Sequence, residues 1–353
     1  MYKAAAWKEK EGPSLRNFNE KEMKKSINGA LALRPQIEKI IDKIWKQGFD
    51  NIFFIGIGGT WASAMQVEVY MRGKSKLPVF VENAAEFLTT GNKKFTKNSV
   101  LIYSSVSGNT KEMVELCKVV KKIGARIFAF IDTPNSTLTS KDLQDYLVIY
   151  EKNEQLKFYM VANYLMYKNK EFPKYNQYNK EMETNLANAL IDVEKKADAW
   201  AYEHAKKKVE FFNAHPDYPH YFIGSGNQYG ATYSYAMCYW EEQMWIRTKS
   251  ISAQEFFHGM QEIVVDDTPI TLFIGEDEQR PLAERVARFL PKVCSNYTVI
   301  DTKEFELKGI SKEFRGSISH HVMRGVNARV DAYMELFLRH PLSIRRYYRQ
   351  FDY

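Results

Sequence analysis

The chain has 353 residues, 45% of them hydrophobic and 26% charged, with 50 Lys+Arg against 43 Asp+Glu for a formal net charge of +7. These are the proportions of a globular protein long enough for two domains. No apolar run approaches the ~18 residues of a membrane span, and the start, MYKAAAWKEKEG, lacks an apolar signal core, so a cytoplasmic location with no membrane contact is expected. The basic clusters Lys93-Lys94, Lys121-Lys122 and Lys206-Lys207-Lys208 are dispersed and carry no interleaved aromatics, which argues against nucleic acid as a partner. Cys117, Cys238 and Cys294 have no paired spacing and read as free thiols.

In chain order, residues 20–48 have helical periodicity (Ile27, Leu31, Leu33, Ile37, Ile40, Ile41, Ile44) and read as one long helix behind a charged lead. Strands and helices then alternate. NIFFIGI is a strand and TWASAMQVEVYMRG a helix; LPVFVE is a strand with a short helix at AAEFL. SVLIYSS leads into the helix TKEMVELCKVVKKIG, and ARIFAFID and DYLVIY are strands. That order predicts a parallel sheet between two helix layers, a flavodoxin-like three-layer α/β fold. Residues 156–212 are strand-poor and helical in spacing. The first pattern then returns: Phe222-Ile223-Gly224-x-Gly226 repeats Phe54-Ile55-Gly56-x-Gly58, and PITLFIG, LAERVARFLPKV and YTVIDT follow as strand, helix, strand. Duplication explains both the motif and its order. The expected organisation is a helical lead (1–48), a first domain (49–155), a helical connector (156–212), a second domain (213–335) and a C-terminal tail (336–353).

The stretch YSSVSGNTKEM joins the third strand to its helix through Ser105, Ser107, Gly108 and Thr110. Hydroxyls, a glycine that permits a tight turn and the free amides of a helix start make an anion site. Its small size and lack of a nearby lysine suit one phosphate. Thr60, after Gly58-Gly59, adds a hydroxyl from the adjacent turn. A dinucleotide is disfavoured because Trp61 stands where close helix–strand packing needs Gly or Ala. The second copy has Gly275-Glu276-Asp277-Glu278 in the corresponding place, which would repel phosphate.

Gly58-Gly59-Thr60 with Ser105-x-Ser107-Gly108-x-Thr110 resembles the phosphosugar site of a sugar isomerase (SIS) domain. The tandem arrangement resembles the isomerase half of glucosamine-6-phosphate synthase and, more nearly, the fructosamine-, fructoselysine- and glucoselysine-6-phosphate deglycases. The stretches that carry this are Tyr239-Trp240-Glu241-Glu242-Gln243-Met244-Trp245-Ile246, Glu255-Phe256-Phe257-His258-Gly259 and the tail from His340 to Tyr348. The resemblance implies two tandem SIS domains, each with a five-stranded parallel sheet, and a C-terminal tail that closes the active site, with Glu242 as proton-transfer base and His258, sixteen residues later, as the acid or ring-opening group. It also implies that His258 serves a neighbouring subunit, so that the working unit is a homodimer or larger. Synthases carry a tail lysine; here stand Arg345 and Arg346, which stay protonated, form no Schiff base and only bind charge.

The chemistry so implied needs a held phosphate, a carboxylate that moves a proton between C1 and C2, and water to hydrolyse the resulting imine. It needs no metal or other cofactor, and the seven histidines show no ligand spacing. On the residues alone, Glu241 rivals Glu242, and either could be a solvated helix end. His258 could cap a helix, and Glu255 could brace the His258 loop. Glu86 could line the sugar site or face water, and Arg345 and Arg346 could meet a substrate carboxylate or pack the tail. The expected function is deglycation of fructoselysine or glucoselysine 6-phosphate. The alternatives are an aldose–ketose isomerase, an amino-sugar-phosphate deaminase, or a sugar-phosphate sensor without catalysis.

Overall fold

The computed structural model describes residues 15–348, 350 and 351, so the first part of the charged lead and the last two residues of the tail lie outside them. The chain divides into two compact units, residues 21–184 and residues 185 onward together with those up to 20. Among the described residues no helix is long and apolar enough to cross a membrane.

The N-terminal unit opens with α1 (Glu20–Leu31) and α2 (Arg34–Gln47) where one helix was expected. Pro35 explains the break: it has no N–H to give and its ring collides with the preceding turn, so it is tolerated only in the first turn of a new helix. Then come β1 (Asn51–Gly56), α3 (Gly59–Arg72), β2 (Val79–Asn83), α4 (Ala84–Thr90), β3 (Ser99–Ser105), α5 (Lys111–Ile123), β4 (Arg126–Ile131), β5 (Tyr146–Ile149) and α6 (Glu154–Lys168). The five strands are parallel, in the order β2-β1-β3-β4-β5. Both sheet faces are covered, which is why its strands read as unbroken apolar runs. Phe54, Ile102, Phe128 and Phe130 face Ile37, Ile41, Val67, Phe158 and Val161. Phe53, Leu101, Ile127 and Ala129 face Phe87, Leu116 and Val120.

The 40-residue α7 (Tyr175–Ala214) begins in the N-terminal unit and continues into the C-terminal one. There follow β6 (His220–Gly224), α8 (Asn227–Ser234), a π-helical stretch (Tyr235–Met244), β7 (Thr248–Ser252), β8 (Ile270–Ile274), α9 (Arg280–Phe289), β9 (Tyr297–Asp301), α10 (Lys312–Arg315) and α11 (Ser319–Leu338). Again the strands are parallel, ordered β7-β6-β8-β9. This sheet has four strands, one fewer than expected. After β9 no apolar run answers DYLVIY: Phe305, Leu307, Ile310 and Phe314 are buried singly, with Gly309 turning at φ +79° between them. β7 was not legible in the sequence, because THR-LYS-SER-ILE-SER offers a single apolar residue and lies at the sheet edge, where half-exposure suffices.

Candidate active site

In the N-terminal sheet the strand order reverses direction between β1 and β3, and open α/β sheets take ligands at the carboxyl ends of the strands at such a point. The turn after β1 carries Gly59 and Thr60. The Thr60 hydroxyl accepts from the Ile57 N–H (3.1 Å) and lies 3.0 Å from the Ile57 carbonyl, to which it donates, so it fastens the turn. After β3, buried Ser105 accepts from the Gly108 N–H (3.1 Å) and closes the loop on itself. Gly108 has φ +65°, and a Cβ there would come within 1.9 Å of the Ser136 hydroxyl, so only glycine fits. Ser107 and Thr110 are half-exposed with their hydroxyls 3.5 Å apart. Thr110 precedes α5 and its side chain makes no capping bond, which leaves the first amides of that helix for an anion. Of the four predicted hydroxyls, Thr60 and Ser105 therefore build the turns, Ser107 accepts from the Asn109 N–H (3.3 Å), and the Thr110 hydroxyl has only that of Ser107 beside it among the described residues. Glu86 lies in the first turn of α4, after β2, and is exposed.

The corresponding crevice of the C-terminal unit lies between β6 and β8. Here Asp277 accepts from the Asn227 N–H (2.7 Å) at the start of α8, and Gln279 Oε1 accepts from the Gly226 N–H (3.1 Å). Gly226 has φ +59°, and a Cβ would come within 2.1 Å of the Asp277 carboxylate. The acidic loop, expected only to repel phosphate, has a structural part. It supplies its own anion to the helix start. Asp277→Ala is expected to cost about 1–3 kcal/mol of stability by stranding those amides; an unchanged urea midpoint would show that the carboxylate does not hold the turn.

The two adjacent glutamates of the C-terminal unit have different partners. α8 passes into the π-helical stretch, whose Trp240 is buried against His220 and Phe222 at ring separations of 4.6 and 4.9 Å. Tyr235 donates to Asp331 (2.7 Å), whose carboxyl burial pushes up to about 7. π-helical segments are rare and cluster at functional sites. Glu241 accepts from the Thr248 hydroxyl (2.6 Å). Glu242 Oε1 accepts from Arg345 Nε (2.7 Å), and its second oxygen has no partner among the described residues.

The tail is fastened to the end of the π-helical stretch. Arg345 Nη1 donates to the carbonyls of Leu342 (2.7 Å) and Ile344 (2.9 Å). The Arg346 guanidinium lies 4.0 Å over the Trp245 ring, and His340 packs 4.1 Å from the same ring with its Nε2 3.0 Å from the Gln243 carbonyl. His258 follows β7, is exposed, and its imidazole has no partner among the described residues. Glu255 braces that loop through its backbone carbonyl, which accepts from the His258 N–H (2.9 Å), rather than through its exposed carboxylate. Within this unit, then, Glu242, Arg345 and Arg346 converge, and His258 makes no bond to Glu242. The Glu242–Arg345 pair joins residues 103 apart, so only the tertiary fold reveals it. Among the described residues no group of three or more His, Cys, Asp or Glu side chains converges.

Residues 43–167 match the SIS domain family. The chain is 26% identical over 328 residues to fructosamine deglycase FrlB of Bacillus subtilis, spanning 90% of this chain and 97% of that one. In fold it is similar to a candidate phosphosugar isomerase of Bacillus subtilis, with a TM-score of 0.80 at 24% identity over 94% of this chain and 100% of the other. It is also similar to the C-terminal domain of glucosamine-fructose-6-phosphate aminotransferase from Francisella tularensis, with a TM-score of 0.70 at 14% identity over 91% of this chain and 95% of that one.

Proposed function

Because the chain carries an SIS domain, we propose that it binds a sugar phosphate and is a cytoplasmic deglycase of glycated amino acid 6-phosphates, with fructoselysine or glucoselysine 6-phosphate as substrate. The observation that carries this reading is the Glu242 carboxylate, held on one oxygen by Arg345 and open on the other. It has the form of an oriented base, with an arginine in the tail where synthase chemistry would want an amine. Similarity to a fructosamine deglycase over nearly the whole of both chains supports it.

In this reading Ser107, Thr110 and the first amides of α5 hold the phosphate, while Thr60 and Ser105 keep the two turns in shape. Glu242 takes a proton from one of C1 and C2 and returns it to the other. A ketoamine becomes a C1 imine, and a 2-amino aldose becomes a C2 imine. Water adds to the imine carbon, the C–N bond breaks, and the amine leaves with the proton. One water is consumed and no electrons are exchanged with the surroundings. The product is glucose 6-phosphate from a fructosamine and fructose 6-phosphate from a glucosamine-type adduct. His258 moves a proton at the ring oxygen, a task suited to imidazole near neutral pH. Its exposed position without a partner among the described residues supports a role toward a second copy in a homodimer or larger assembly.

Purified protein given each adduct separately is expected to release one of the two hexose phosphates, read by coupled assay. Ser107→Ala with Thr110→Val should raise KM for that adduct about 10- to 100-fold through lost hydrogen bonds to a charged group. No hexose phosphate from either adduct would reject the deglycase. The likeness in fold to a candidate phosphosugar isomerase favours a second reading, aldose–ketose isomerisation by the same carboxylate. Interconversion of glucose 6-phosphate and fructose 6-phosphate in the absence of any amine adduct would select it.

A further inference from the structure

Arg345 and Arg346 hold more hydrogen-bonding capacity than the protein uses. A guanidinium has five N–H donors in one plane. In Arg345, Nε is committed to Glu242 and Nη1 to the carbonyls of Leu342 and Ile344, while Nη2 has no partner among the described residues. The Arg346 guanidinium sits 4.0 Å over the Trp245 ring, and the residue is exposed, with no carboxylate paired to it among the described residues. Glu242 offsets one of these two charges, so the Arg345–Arg346 pair leaves one positive charge in excess beside the proposed base. Their shapes suit a planar anion, since guanidinium meets carboxylate through parallel N–H donors.

Resting on the deglycase reading, we infer that Arg345 Nη2 and the edge of Arg346 bind the carboxylate of the amino acid carried by the sugar. The same guanidinium then joins recognition to catalysis: Arg345 fixes Glu242 through Nε and takes the substrate through Nη2. Arg345 is a positioning residue for the base and, with Arg346, a specificity residue for the leaving amino acid. An adduct of an amine without a carboxylate would leave two cations unmatched and lose affinity as well as alignment.

The test compares adducts of lysine and of cadaverine, which is lysine without its carboxylate, on the same hexose 6-phosphate. Wild type is expected to favour the lysine adduct about 10- to 100-fold in kcat/KM, the size of a charged hydrogen-bonded contact. Arg346→Ala should bring that ratio toward one chiefly through KM. Arg345→Gln should do the same and in addition lower kcat for both adducts, because Glu242 loses its anchor. A wild-type ratio near one, or a ratio that both variants leave intact, overturns the inference while turnover itself keeps the deglycase reading. If neither adduct yields hexose phosphate, that reading fails, and calorimetric Kd values for the two adducts decide the inference on the same ratio: equal Kd values overturn it.

Discussion

Glu242→Gln is expected to lower hexose phosphate release by at least about 100- to 10,000-fold, the range attributed to a positioned general base, with the adduct still bound. The amide keeps the size of the carboxylate and an oxygen that can accept from Arg345 Nε, so the tail contact and the end of the π-helical stretch should persist. What it cannot do is take a proton from carbon. Glu241→Gln is the matched control: its partner is the Thr248 hydroxyl, and only a contact to β7 is at stake. Single-turnover assays with both variants, alongside binding by calorimetry, separate the roles. Loss of turnover in Glu241→Gln with Glu242→Gln active would exchange the two residues, and full activity in both would remove the carboxylate mechanism.

Lys157→Met is expected to cost about 3–5 kcal/mol of stability, because it strands a buried carboxylate. Lys157 Nζ donates to Asp132 Oδ1 and to the Tyr150 carbonyl, both at 2.8 Å, and its side chain is wholly buried while that of Asp132 is 5% exposed. Asp132 also accepts from the Lys152 N–H (2.8 Å), and its own N–H donates to the Ser105 carbonyl. The pair thus ties the carboxyl end of β4 to the start of α6, beside the Ser105 end of β3. Burial pushes the neighbouring Glu154 carboxyl above its usual range. A further uncompensated negative charge there has little to neutralise it. The double variant Lys157→Met, Asp132→Leu should recover most of the loss, since replacing both partners by apolar groups removes the stranded charge. Urea unfolding of the three proteins measures this; a single variant within about 1 kcal/mol of wild type would show that the pair is not needed.

The sheets of both units were legible because a parallel sheet covered on two faces leaves apolar runs such as NIFFIG and ITLFI, which no other use of the chain explains as well. The turn between β3 and α5 was legible too, since a strand end, a glycine with positive φ and hydroxyls before a helix are all local in sequence. β7 and the missing fifth strand of the second sheet were not, because an edge position tolerates polar residues and the end of a repeat leaves no signal. The break at Pro35 had a local cause that helical periodicity concealed.

Which of two adjacent glutamates meets the tail could not be read from a helical wheel. The π-helical winding alters the angle between successive residues, and only the packing of Trp240 among its aromatic neighbours fixes where that winding falls. The same holds for Asp277 at the start of α8 and for Arg345 on Glu242: each is a contact between residues distant in sequence. Sequence alone determined the alternation of strands and helices and the helix layers on a parallel sheet, because local pairing propensity and amphipathic burial act over short stretches of chain. Tertiary structure decided which hydroxyls stay open, which second anion site is filled from within, and which carboxylate is held, because those outcomes depend on side chains that meet only after the chain has folded.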